Sequence, residues 1–317
     1  MKSIINRKIM PASLFIFCLA LSSCGTSSDK KSLKFTDFPD LQIGFSTQNF
    51  QKAMPNSVEN LSEIIEYAGK EGYQFIEIRD ELAKLSTNDC KSLAEVAKRN
   101  KVAVIYEIQK NILDTGFYKV FDKGLENTVL FPGPGIMRTL ISRSEFEVDP
   151  SKKGWNKEEF NKLINIADSC AAIARGKNVQ FIVENVNEPV FGDGLNYFGL
   201  ADFFSNTTIT GLQFDTGNPF TGTIRVQSNP EEVSGYLSKL GDRWITSQLK
   251  TIIEVGGTMQ PTLTENPLPV ERVITLMGQQ NVKYVAIELL ALDDKEQCFE
   301  NHAQSIHFLK DKGILQK

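Results

Sequence analysis

The chain has 317 residues, 41% hydrophobic and 9% aromatic, enough to bury one large core, and this length suits a single α/β barrel as well as two smaller domains. The formal net charge of −4, with no basic run, sets it apart from proteins that bind nucleic acid by neutralising phosphates. Of five cysteines, Cys90, Cys170 and Cys298 lie beyond residue 24, none near another in sequence, so at most one disulfide could form and buried free thiols are expected.

Lys2, Arg7 and Lys8 make a basic start, and residues 12–21 an apolar run too short to span a bilayer as a stable helix. Leu21-Ser22-Ser23-Cys24 follows, with small residues before a cysteine, so 1–23 reads as a secretory signal. The LSSC segment resembles the lipobox of bacterial lipoproteins. That resemblance implies cleavage before Cys24, lipidation of its thiol, and a place in the bacterial cell envelope, on the periplasmic side or the outer membrane. Membrane contact would then be through the Cys24 lipid alone. An ordinary signal peptide with an incidental cysteine is the plainer alternative. Residues 24–40 read as the lipidated cysteine and a flexible Ser/Lys/Thr-rich tether. Losing 1–23 removes three positive charges and no negative ones, which moves the net charge from −4 to −7.

From residue 41 to 317 the pattern predicts one domain. Apolar strand candidates at 41–46, 74–79, 102–108, 136–141, 179–184, 211–215, 244–250 and 283–288 alternate with helical patterns. The helices are expected at 57–70, 88–99, 117–130, 157–175, 200–206, 230–240, 269–279 and 295–312. Ser57 before Val58, Gly72 after Lys70, Gly176 after Arg175 and Pro230 after Asn229 are start and stop signals. Eight strands alternating with eight helices predict a parallel sheet closed as a (β/α)8 TIM barrel. An open doubly wound sheet is the alternative, but no GxGxxG or Walker segment is present. Two long connections, 143–155 and 251–268, leave the carboxyl ends of strands and are expected to be substrate walls or lids.

The strand at 180–183 is almost wholly apolar and ends on Glu184, before Asn185, Asn187, Glu188 and Pro189. A carboxylate where a buried strand emerges is costly unless paired or bound to metal. Three later strands end on Asp215, Gln248 and Glu288, so four oxygen-bearing side chains converge on one barrel mouth. Carboxylates that close repel, and a divalent cation is the usual remedy.

The segments YQFIEIRDE (73–81), FIVENVNEP (181–189), GLQFDTGNP (211–219), SQLKT (247–251) and AIELL (286–290) resemble the sugar isomerase/epimerase family with the xylose isomerase-like barrel. The resemblance runs from about residue 41 onward. It implies that Glu184, Asp215 and Glu288 hold one divalent metal and that Glu184 and Glu288 double as acid and base. The family usually has histidine where this chain has Gln248, and related epimerases often have one at Asn218. If Gln248 coordinates through its carbonyl, the site is all-oxygen, which favours Mn²⁺ or Mg²⁺, allows Ca²⁺, and disfavours Zn²⁺. The alternative is a metal-free pocket that only binds a ligand.

The implied chemistry is enolisation beside a sugar carbonyl, the first half of isomerisation, epimerisation and β-elimination. The envelope address points to a non-phosphorylated sugar or glycoside as the small-molecule partner. A keto-glycoside lyase and an inactive carbohydrate-binding lipoprotein are the competing readings. Arg79, Glu107, Arg138, Asn218 and Lys250 are expected to contact substrate, although Glu77 and Arg79 could instead form a structural ion pair. Trp155 and Trp244 are either sugar-stacking faces or core.

Overall fold

The structure is a computed structural model. It describes residues 32–143, 154–189, 192–193, 195–208, 210–218, 231, 235, 237–250, 259–264 and 268–316. Cys24 and the rest of the expected signal lie outside these residues, as do most of 143–155 and 251–268 and five residues of the helix expected at 230–240. Of that helix, Glu231, Gly235 and Leu237 are helical, and Ser238–Arg243 forms a 3₁₀ turn leading into the next strand.

Eight parallel strands close into a barrel: β1 (Gln42–Ser46), β2 (Phe75–Arg79), β3 (Ala103–Asn111), β4 (Ile136–Leu140), β5 (Gln180–Glu184), β6 (Gly211–Asp215), β7 (Trp244–Leu249) and β8 (Tyr284–Ile287). They neighbour one another in chain order, and β8 returns to pair with β1, Gln42 opposite Tyr284. Helices α1 (Val58–Glu71), α2 (Thr87–Asn100), α3 (Phe117–Thr128), α4 (Lys157–Arg175), α5 (Leu200–Asn206), α6 (Val270–Gln279) and α7 (Lys295–Asp311) fill the crossovers. This is the (β/α)8 TIM barrel the alternation predicts. Both faces of such strands are buried, which is why they read as apolar runs rather than alternating ones.

Local chemistry sets the helix ends. Ser86 and Asp89 form a capping box at the start of α2, and Asn156 with Glu159 does the same for α4. Gly72 closes α1 at φ 86°, a left-handed conformation that favours glycine. The outward strand faces, including Phe45, Ile78, Tyr106, Phe181, Val183 and Phe214, pack against the helices in one continuous core. Trp155 and Trp244 belong to that core, so neither forms a sugar-stacking face. Cys90, Cys170 and Cys298 are buried free thiols.

The tether expected over 24–40 is corrected where the structure describes it. Leu33 and Phe35 are buried, Phe35 pairs with Leu315 in an antiparallel bridge, and Leu33 N–H donates to the Gly72 carbonyl at 2.9 Å. Two apolar side chains spaced to face one way were enough to fold this stretch onto the base of the barrel. Among the described residues, no helix is long and apolar enough to cross a membrane.

Candidate active site

Inward-facing side chains recur every second residue along each strand and stack in layers. The floor is apolar: Phe75, Ile105, Ile136, Ile182, Ile245 and Ala286. Gly44 on β1 leaves room for it, since a Cβ there would lie 2.4 Å from the Phe75 carbonyl and 2.7 Å from its ring. Two residues further along these strands the chemistry changes abruptly, to Glu77, Glu107, Arg138, Glu184 and Glu288. Gln213 and Gln248 join this layer from β6 and β7, where the register shifts between Leu212 and Gln213. Arg79, Asp215 and Lys250 lie above it, at the mouth. All five carboxylates are at most 3% exposed.

Fixed cations neutralise this acidic layer. The Arg138 guanidinium lies 2.8 Å from Glu107 Oε2 and 3.1 Å from Glu184 Oε2. Arg79 reaches Glu107 at 3.5 Å and Glu288 at 3.8 Å, so the alternative of a Glu77–Arg79 ion pair is not what forms. Lys250 Nζ sits 2.9 Å from Asp215 Oδ2 and 3.2 Å from Glu288 Oε1. Asn218 ties the groups together, its Nδ2 donating to Glu184 Oε1 at 3.0 Å and its Oδ1 accepting from Lys250 Nζ at 3.1 Å. Glu77 accepts from Gln248 Nε2 at 2.7 Å, and Gln213 donates to Glu107 at 3.1 Å.

Backbone brackets hold the key groups in place. Asn185 bonds both the N–H and the C=O of Asp215, at 2.7 and 3.1 Å. Asn49 does the same around Glu288, donating to the Ile287 carbonyl and accepting from Leu289 N–H, each at 2.9 Å. Behind Asn49 lies His302, whose pKa burial pushes down to about 3.

Burial and neighbours drive the acids apart. Burial raises Glu184 to about 7 against the pull of Arg138. Burial also raises Glu77 well above the usual carboxylate range, with Glu107 adding repulsion. For Glu288 burial acts in the same direction but is outweighed by Lys250, Arg79 and Arg138, which hold it below the usual range. Burial would lower Lys250, yet Asp215 and Glu288 hold it above its ordinary value.

Every expected site residue among Arg79, Glu107, Arg138, Glu184, Asp215, Asn218, Gln248, Lys250 and Glu288 falls in this one cluster. Glu77 and Gln213 complete it; the signal for both was the period of two, which aims them at Gln248 and Glu107. A cavity of 910 Å³ opens beside the cluster, lined by Gln48, Asn56, Arg79, Asp80, Lys84 and Leu290. Arg79 spans from this cavity to Glu107 and Glu288.

The four donors expected to hold a divalent ion do not fit one. The Lys250 ammonium lies between Asp215 and Glu288, two of the four expected ligands. Arg138 occupies Glu184, and the Gln248 amide turns its nitrogen to Glu77. Among the described residues, no three His, Cys, Asp or Glu side chains are arranged to hold a metal.

No protein-family model matches the chain, and no curated protein does. Solved structures match in fold. An L-ribulose 3-epimerase superposes with TM-score 0.63 at 12% identity, over 86% of this chain and 94% of its own. D-Allulose 3-epimerase from Methylomonas sp., in complex with D-allulose, gives 0.61 at 12%, over 89% and 99%. A xylose isomerase-like TIM barrel protein from Mycobacterium smegmatis, in complex with magnesium, gives 0.59 at 15%, over 86% and 97%. The chain therefore has the fold of the xylose isomerase-like TIM barrels.

Proposed function

We propose that the barrel mouth enolises a small, non-phosphorylated sugar or glycoside beside its carbonyl, as a sugar isomerase or epimerase does. The observation that carries this reading is the bridge Glu184–Asn218–Lys250–Glu288, which joins two carboxylates of opposite protonation preference through a cation and an amide. Two acids whose surroundings push them apart are an acid and a base in waiting. Glu288, ionised, takes the proton from the carbon next to the carbonyl, and the C–H electrons move into the carbon–oxygen unit. Glu184, protonated, returns a proton to that carbon from the other side for epimerisation, or, once the adjacent hydroxyl proton has passed to the former carbonyl oxygen, to the neighbouring carbon for isomerisation. If a leaving group stands β to the carbonyl, the same first step leads to elimination from a keto-glycoside.

The sugar epimerases among the fold neighbours support the substrate class, and the envelope address read from residues 1–24 supports an unphosphorylated one. The divalent ion that the resemblance implied is no part of this reading, because the residues that would ligate it are held by Lys250, Arg138 and Glu77.

Incubation in D₂O with ketopentoses, ketohexoses and keto-glycosides tests the reading by NMR. Deuterium should enter beside the carbonyl of at least one of them, and Glu184→Gln or Glu288→Gln should slow this by about 10²–10⁴-fold. Sugar binding by calorimetry with no exchange in any substrate would leave a carbohydrate-binding barrel without catalysis.

A further inference from the structure

We infer that Lys250 takes the place of a divalent metal, its ammonium binding the sugar carbonyl oxygen and carrying the charge that develops there. This rests on the enolisation reading for its substrate, though not for its test.

The geometry is that of a small cation seated in an oxygen cradle. Nζ donates to Asp215 Oδ2 at 2.9 Å and to Asn218 Oδ1 at 3.1 Å, and it pairs with Glu288 Oε1 at 3.2 Å. Two of these are carboxylates at the ends of β6 and β8, and the ammonium comes from just past β7, between them. The third is a neutral amide, the weakest of the three acceptors and the one a substrate oxygen can displace without exposing a buried charge. The Asn218 amide would keep its bond to Glu184 while its oxygen yields to the carbonyl.

Gln248 completes the substitution. The position expected to ligate a metal instead bonds Glu77 at 2.7 Å through its nitrogen. Arg138 and Arg79 supply the remaining positive charge on Glu184 and Glu288. A divalent ion would have to share its oxygens with an ammonium about 3 Å away, and like charges that close cost several kcal/mol.

The step balances without any added reagent. The carbon–hydrogen bond breaks, Glu288 gains the proton, and the electron pair ends on the carbonyl oxygen as an enolate. Lys250 donates a hydrogen bond to that oxygen and keeps its own proton, so it lowers the charge cost as a fixed electrostatic partner.

Titration with Mn²⁺, followed by calorimetry and by the loss of the free-ion EPR signal, tests the inference on the full-length protein after chelator treatment. The wild type should take up no Mn²⁺ at the mouth. Lys250→Ala, which empties the space between Asp215 and Glu288, should bind Mn²⁺ at least about tenfold more tightly than wild type. Lys250→Arg, which keeps the charge, should behave as wild type. Stoichiometric Mn²⁺ in the wild type, or equal affinity in wild type and Lys250→Ala, overturns the inference, and the wild-type result decides even if the alanine variant does not fold. Proton exchange into sugar, where found, should survive chelator unchanged; its loss on chelation and return with Mn²⁺ would also overturn it. If no sugar exchanges but the Mn²⁺ results stand as expected, the enolisation reading fails and the replacement of the ion by Lys250 does not.

Discussion

Glu184 and Glu288 stand at the ends of two strands of one barrel, yet their surroundings push them in opposite directions. Glu184 is raised from 4.5 to about 7, so the folded state binds its proton more tightly than the unfolded chain does. The stability this gives is fully present below about pH 4.5 and is lost as the pH rises to about 7. Urea midpoints of wild type at pH 5 and pH 8 should therefore differ by more than those of Glu184→Gln, by at most about 3 kcal/mol. A variant with the same pH slope as wild type would show that the carboxyl is not held protonated. Arg138 gives a second test. It is fully buried and serves both Glu107 and Glu184, so Arg138→Met should destabilise by about 3–5 kcal/mol in denaturant unfolding, because it strands two carboxylates in the interior.

The expected site residues were legible one by one because each ends or nearly ends an apolar strand. Their partners were not. Glu77 and Gln248 are 171 residues apart and meet only because the barrel closes. Lys250 was legible as a substrate contact, but its seat between Asp215 and Glu288 depends on three strands at once. That seat is what turned the expected ion into an internal ammonium.

At the scale of elements, strands and helices could be read from periodicity and end signals because most were backed by local chemistry. The capping box of α2 is an instance: Ser86→Ala should cost about 1 kcal/mol in thermal or denaturant unfolding, with no effect on the mouth. β3 runs to Asn111, three residues past its expected end at Ile108, because Asn111 pairs with Leu140 and its amide bonds the Ser142 carbonyl. No local signal marks that extension; it is set by the neighbouring strand. The same holds for residues 33–36, whose Ser- and Lys-rich surroundings read as tether while Leu33 and Phe35 are core. Phe35→Ala should destabilise the barrel by about 3–5 kcal/mol, whereas a true tether residue would tolerate it. A chain beginning at residue 41 should likewise melt at a lower temperature than one beginning at Ser32.

For the whole molecule, the layering along the barrel axis separates two tasks. The apolar floor and outer core hold the fold together, while the buried charges above cost desolvation that their mutual attraction at best roughly offsets. Such a layer is a poor investment for stability alone and a good one for chemistry. The antiparallel bridge between Phe35 and Leu315, with Gln316 N–H donating to the Lys34 carbonyl at 2.9 Å, lies at the opposite end from that layer. The chain thus enters and leaves the barrel side by side at its closed base. The two ends of the described chain therefore close the barrel from below, like the foot of a cup whose rim carries the chemistry.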